Sequence, residues 1–318
     1  MDAPGRTVLT RRAVLRGGAL AWLAAPSRFA LSAASAAEPP LITKPIPSTG
    51  ERLPVIGLGT DSFRASARGP IRDEIIRMHE LGGKVIDTSA DYGESEALIG
   101  EVLASAPIRD AIFLATKLVA SGASDYFGGG AVGPEGSLKR SLERLRTRRL
   151  DLMQVHNLDG VEQLMPLLQK WKREGTIRYY GITTSSVSQH GDMADLMRKF
   201  PLDFIQVDYS IANRDAEQTI FPLAAERKIA VLANVPLVHG RLFRRAGAQL
   251  PSWAAQAGIS SWSQFFLKYV ASHPAVTCAI PGSTQVAHLE DNQKAGRGVL
   301  PDAALRKRME DYWARIES

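Results

Sequence analysis

At 318 residues, 45% hydrophobic and 23% charged, the chain has the length of one α/β barrel and enough apolar content to bury a core. Its formal charge of +6 suggests a polyanionic partner, but residues 1–36 hold five arginines and one acid, and the remainder carries 34 basic and 32 acidic residues, a net of +2; no Lys/Arg stripe interleaved with aromatics remains, which argues against nucleic acid. A single cysteine excludes an intramolecular disulfide and a Cys-based metal cluster, and the lack of a long apolar span after the N-terminal segment excludes a multi-pass membrane protein.

The chain opens on Thr10-Arg11-Arg12-Ala13-Val14-Leu15-Arg16, then an Ala- and Leu-rich stretch from Gly17 to about Ala34, ending in the small-x-small pattern Ala34-Ser35-Ala36. This resembles the twin-arginine (Tat) export signal of bacteria. It implies a signal peptide over 1–36 cleaved near Ala36, recognition by the Tat machinery, export of the folded protein to the periplasm, and no stable membrane span after cleavage. That pathway carries folded proteins, so a cofactor inserted before export fits it.

Residues 37–52, rich in proline and with Ser48-Thr49-Gly50-Glu51 as a turn, read as a connector and a short β-hairpin. From 53 to 318 a βα alternation takes over. Expected strands are Val55–Leu58, Lys84–Thr88, Ile112–Lys117, Leu150–His156, Tyr179–Thr183, Phe204–Tyr209, Ala230–Val235 and Val276–Ile280. Helical patterns lie between them, such as Arg72–Leu81, Gly136–Arg146, Val161–Glu174, Val187–Lys199, Ala216–Lys228 and Ser261–Ser272. Eight strands at this pitch predict a closed (β/α)8 TIM barrel preceded by the hairpin. A Rossmann sheet is disfavoured, since Gly57-Leu58-Gly59 lacks a third glycine and runs into a polar loop. Cys278, in the apolar run Val276–Ile280, reads as a buried, inert thiol.

Two connections are long, Leu118–Gly133 and Pro236–Gly258, and both follow strand C-termini, where barrel enzymes build their sites. The second, third and fourth strands end in Asp87, Lys117 and His156, and Tyr92 lies on the loop after Asp87. A phenol is a weak acid at its ordinary pKa of about 10, and an ammonium beside it stabilises the phenolate and lowers that value. Lys117 is placed to do this, Asp87 to hold Lys117, and His156 to orient a carbonyl oxygen. No nucleophile stands beside a base and no second histidine is spaced for a metal, so the set gives a proton to a carbonyl and needs a nicotinamide for the hydride. A barrel hydrolase using Asp87 and His156 as metal ligands is the weakest alternative.

Four blocks then occur in order: Gly57-Leu58-Gly59-Thr60, Asp87-Thr88-Ser89-Ala90-Asp91-Tyr92-Gly93-Glu94-Ser95-Glu96, Thr116-Lys117 and Val155-His156-Asn157. Over Leu53 to Ala295 the chain resembles the aldo-keto reductase family. The resemblance implies an NAD(P)(H)-dependent oxidoreductase acting on a small carbonyl or alcohol substrate, with Tyr92 as general acid assisted by Lys117, Asp87 and His156. It implies cofactor contacts at Gly59 and Thr60, at Gln206 and Tyr209 as residues that hold and stack on the nicotinamide, and at Pro236 and Leu237. Ser283, Thr284 and His288 would line the adenosine-phosphate loop, and Asp291 and Asn292 would close on the adenine.

Thr183-Thr184 stands where the family usually has Ser-Asn to grip the carboxamide. No permanent cation stands at Thr284, Gln285 or His288 for a 2′-phosphate. NADP(H) is therefore favoured by the family alone, and NAD(H) stays open. Tyr126, Phe127 and Asn157 are candidate pocket residues. The alternative function is a nicotinamide-binding sensor or accessory subunit with little turnover. A cofactor exported with the enzyme must be recharged by a redox partner or serve one turnover.

Overall fold

The computed structural model describes residues 1, 38–120, 132–247 and 249–317. The expected export segment after its first residue, and the pocket candidates Tyr126 and Phe127, lie outside the described residues.

The chain first forms an antiparallel hairpin, β1 (Thr43–Pro45) and β2 (Arg52–Pro54), around the expected Ser48–Glu51 turn. Eight parallel strands follow: β3 (Leu58–Gly59), β4 (Val85–Asp87), β5 (Phe113–Leu118), β6 (Leu150–Val155), β7 (Ile177–Thr183), β8 (Phe204–Asp208), β9 (Ala230–Asn234) and β10 (Val276–Ala279). Each pairs with its neighbour in sequence. The seam between first and last strands closes through Gly57 N–H to Ala279 O (2.8 Å), Ala279 N–H to Val55 O (2.9 Å) and Gly59 N–H to Pro281 O (2.9 Å). The expected first strand, Val55–Leu58, is thus divided, with its first half bonded to β10 by isolated bridges. A side chain at Gly59 would come within 2.9 Å of Ile280 O, so only glycine allows this closure.

Helices alternate with the strands: α1 (Arg68–Glu80), α2 (Ser95–Ser105), α3 (Pro134–Arg144), α4 (Val161–Arg173), α5 (His190–Lys199), α6 (Ile220–Glu226), α7 (Arg241–Arg245), α8 (Trp262–Ser272), α9 (Val286–Lys294) and α10 (Ala303–Glu317). In α4 the buried Val161, Leu164, Met165, Leu168 and Trp171 recur at three- and four-residue intervals, the stripe that faces a sheet. Ser261 caps α8 by accepting from Gln264 N–H. The (β/α)8 barrel is therefore the architecture, as expected.

Period-2 alternation sorts each strand into an inner and an outer face. Val85, Phe113, Leu152, Tyr179, Phe204, Ala230 and Cys278 point inward and form one apolar cluster with Ile46 and Leu53 of the hairpin, which plugs the N-terminal end. Lys44 fixes that plug, its ammonium donating to the carbonyls of Ala271, His273 and Val276 at 2.7 Å each. Cys278 is fully buried and its thiol is pushed up by burial, in keeping with an inert role. Among the described residues no helix is long and apolar enough to cross a membrane.

Candidate active site at the C-terminal mouth of the barrel

The inward positions one step above the apolar layer are polar. Asp87 ends β4 two residues after Val85, Lys117 follows Ala115 in β5, and Gln154 follows Leu152 in β6. The same two-residue step that builds the core therefore lifts these groups to the mouth.

Lys117 Nζ donates to Asp87 Oδ2 (2.7 Å), to Thr88 O (2.8 Å) and to the Tyr92 phenol oxygen (3.2 Å). Its nitrogen also lies 4.6 Å from the centroid of the Tyr92 ring. Gln154 Nε2 donates to the other Asp87 oxygen at 3.3 Å. The lysine and aspartate are almost wholly buried, with side-chain exposures of 1% and 3%. Burial alone would lower the Lys117 ammonium, but Asp87 and Tyr92 outweigh it and hold it above its ordinary value.

The phenol does not follow the sequence expectation. Burial pushes Tyr92 above its ordinary value; Lys117 pulls it down, and Asp87 offsets part of that pull. The result is a phenol that keeps its proton, beside a cation that stabilises the anion once the proton leaves.

The His156 ring meets the Tyr92 ring edge-on at 5.7 Å between centroids. Its Nδ1 lies 3.2 Å from Asp91 Oδ2 and 3.3 Å from Ser89 Oγ. Sequence reasoning did not single out Asp91 or Gln154. Period 2 counted back from His156 points to Gln154, whereas nothing in the local pattern distinguishes Asp91.

Hydroxyls fasten the loops that carry these groups. Ser95 Oγ donates to Thr60 Oγ1 (2.7 Å), and Thr60 Oγ1 donates to Asp87 O (3.0 Å). Glu94 accepts from Ala65 N–H at 2.6 Å, tying the β3–α1 loop to the Tyr92 loop. The backbone is strained where two other loops leave the mouth. Asn157 and Leu158 after β6, and Val235 and Val238 after β9, all have φ between 49° and 60°. Pro236 and Leu237 sit inside that second loop, and Asn157 is exposed at the rim.

The remaining cofactor candidates divide. Thr183 ends β7 in register with Gln206 of β8. The oxygens of Gln206 (Oε1) and Asn234 (Oδ1), on neighbouring strands, are buried without a partner. Two orphaned acceptors fit the amide hydrogens of a carboxamide. Thr184 is spent internally: its hydroxyl donates to Gln189 Oε1 (2.5 Å), and its carbonyl accepts from Asn234 Nδ2 (2.9 Å).

Ser283 and Thr284 form the turn before α9. Ser283 Oγ engages Gln285 backbone groups, and no side chain caps the start of α9, which leaves its first amides available to an anion. His288 is exposed on that helix. Asp291 accepts from Ser261 Oγ and Gln264 Nε2, both at 2.6 Å, and Asn292 Oδ1 accepts from Ser263 Oγ. These two fasten α9 to the start of α8.

Tyr209 is not at the mouth. It is 1% exposed, packed edge-on against Phe221 (4.8 Å) and His273 (5.7 Å), and its hydroxyl donates to Glu217 and accepts from Arg306. A ring walled in by the helical layer cannot stack on a ligand in the barrel.

The model of the Aldo/keto reductase family matches residues 55–308. An uncharacterized oxidoreductase of Bacillus subtilis is 28% identical over 275 residues, covering 76% of this chain and 84% of its own length. Among solved structures, the holo form of an aldo-keto reductase from Bacillus halodurans superimposes with a TM-score of 0.71 at 23% identity, covering 86% of this chain and 96% of that one. An aldo/keto reductase from Klebsiella pneumoniae, solved with NADP and acetate, gives 0.70 at 24% identity, covering 83% and 93%.

Proposed function

Because the chain belongs to the aldo/keto reductase family, we propose that it is an NADP(H)-dependent oxidoreductase that reduces an aldehyde or ketone to an alcohol, or runs the reverse. Tyr92 is the general acid, with Lys117, Asp87 and His156 assisting. The observation that carries this reading is the buried chain Asp87–Lys117–Tyr92, at 2.7 and 3.2 Å. A phenol held protonated by burial is a loaded acid at neutral pH. When its proton passes to a carbonyl oxygen, the phenolate is left beside an ammonium whose own charge Asp87 secures. In the reverse direction the same phenolate takes the alcohol proton.

A nicotinamide, when bound, supplies or accepts the hydride. Gln206 and Asn234 would hold its carboxamide through their orphaned oxygens, and the turn at Ser283 and Thr284 would take a phosphate at the open start of α9. NADP in the Klebsiella pneumoniae structure supports the phosphorylated form. With no permanent cation at Thr284, Gln285 or His288, NAD(H) remains a live alternative that a direct comparison of affinities decides.

Purified protein should bind NADPH and transfer hydride to members of an aldehyde and ketone panel. Binding without turnover would favour the sensor reading, and no nicotinamide binding would end both. The pattern Thr10–Arg16 with Ala34-Ser35-Ala36 supports Tat export, cleavage near Ala36 and a periplasmic redox partner. If so, changing Arg11 and Arg12 to lysine keeps the uncleaved protein in the cytoplasm; export of that variant at the normal rate would reject the signal.

A further inference from the structure

The Nδ1 edge of His156 meets a carboxylate. Asp91 Oδ2 is 3.2 Å away, and the side chains of the pair are 13% and 28% exposed. An ionised carboxylate can only accept a hydrogen bond, so the contact is attractive only with the proton on Nδ1. Ser89 Oγ, 3.3 Å from the same nitrogen, already accepts from Asp91 N–H at 3.2 Å and can turn either way. Among the described residues none bonds Nε2.

A neutral imidazole protonated at Nδ1 presents a lone pair at Nε2. That is the reverse of what a carbonyl oxygen needs and is what an alcohol hydroxyl needs. We propose that Asp91 is a positioning residue that keeps the proton of His156 on Nδ1, so that Nε2 accepts from the alcohol form of the substrate and donates to the carbonyl form only as imidazolium.

This rests on the reductase reading for its substrate and on the Asp91 contact for its geometry. Among the described residues, the charged side chain bonded to the His156 ring is that of Asp91. Asp91 comes from the β4–α2 loop, and Asp159 follows on its own segment, donating its backbone N–H to His156 O at 3.0 Å. Lys117 and Asp87 are paired with each other at 2.7 Å, and Lys117 reaches the Tyr92 hydroxyl, whose ring meets that of His156. From the β7–α5 side, Gln189 donates its amide to Asn157 O, the residue after His156. Asp91 is therefore the group whose removal changes what Nδ1 sees.

The test reads the tautomer directly. Long-range 15N–1H correlations distinguish the protonated ring nitrogen, and loss of the signal in His156→Gln identifies it among the six histidines. In the neutral ring the proton should lie on Nδ1 in the unaltered protein and move to Nε2 in Asp91→Asn. Reduction kcat/KM at one pH should change by more than about threefold in Asp91→Asn, with NADPH affinity held within about twofold and Asp91→Glu restoring the unaltered value. A neutral ring protonated on Nε2 in the unaltered protein would overturn the proposal, as would an unchanged tautomer in Asp91→Asn. The spectrum needs no turnover, so an inactive protein that still showed the Nδ1 proton would fault the reductase reading while leaving the assignment of that proton to Asp91 intact, and a turning-over protein without the Nδ1 proton would do the reverse.

Discussion

The ammonium of Lys117 lies 3.2 Å from the hydroxyl of Tyr92 and 4.6 Å from the centre of its ring, so one buried cation faces both the acid and its π-face. The contact matters most after the proton has left, when the phenolate is the group in need of a counter-charge. Tyr92→Phe keeps the ring and its packing against His156 but removes the proton. Reduction kcat should fall by about 10²–10⁴, the usual worth of a positioned general acid, while NADPH affinity is retained. Steady-state rates and a fluorescence titration measure the two together. Turnover that survived this change would remove Tyr92 from the chemistry.

That site was legible in the sequence because strands repeat every two residues. Once Val85, Phe113 and Leu152 face the core, Asp87, Lys117 and Gln154 must share the inner face higher up. The same rule marks where the resemblance misled. With Gln206 inward, Tyr209 three residues later faces outward, and its neighbours are Phe221 and His273 of the helical layer. The net rise of the Tyr92 phenol was not legible, because burial depends on loops that converge from distant parts of the chain. Asp91 and Asn234 share this: each acquires its meaning from a partner on another element.

Tyr209→Phe separates a structural tyrosine from a cofactor-stacking one. Its hydroxyl donates to Glu217 and accepts from Arg306, which donates at 2.8 Å and also packs its guanidinium 4.3 Å from the centre of the Tyr269 ring. Loss of the hydroxyl unties this junction between α10 and the barrel wall. The expected cost is about 1–3 kcal/mol in urea unfolding, with KM for NADPH unchanged. A raised KM at unaltered stability would return Tyr209 to the cofactor site.

Glu74 interrupts the apolar stripe of α1, between Ile71, Ile75 and Met78, and is fully buried with neither carboxyl oxygen in a hydrogen bond of good geometry. Burial pushes its carboxyl up to about 7, with the Ser283 hydroxyl pulling weakly back. Below the ordinary carboxylate value of 4.5 the group is protonated whether the chain is folded or not, and its ionisation adds no cost to folding. Between 4.5 and about 7 the unfolded chain releases the proton while the folded chain retains it, so stability falls as pH rises through this window and levels off above it. A difference of that size corresponds to about 3 kcal/mol. Glu74→Gln should therefore match the unaltered protein near pH 4.5 and exceed it in stability above pH 7, with the gap opening between. Urea unfolding at several pH values measures this gap. Two stability curves running parallel across the window would mean that water or a neighbouring donor reaches the carboxyl.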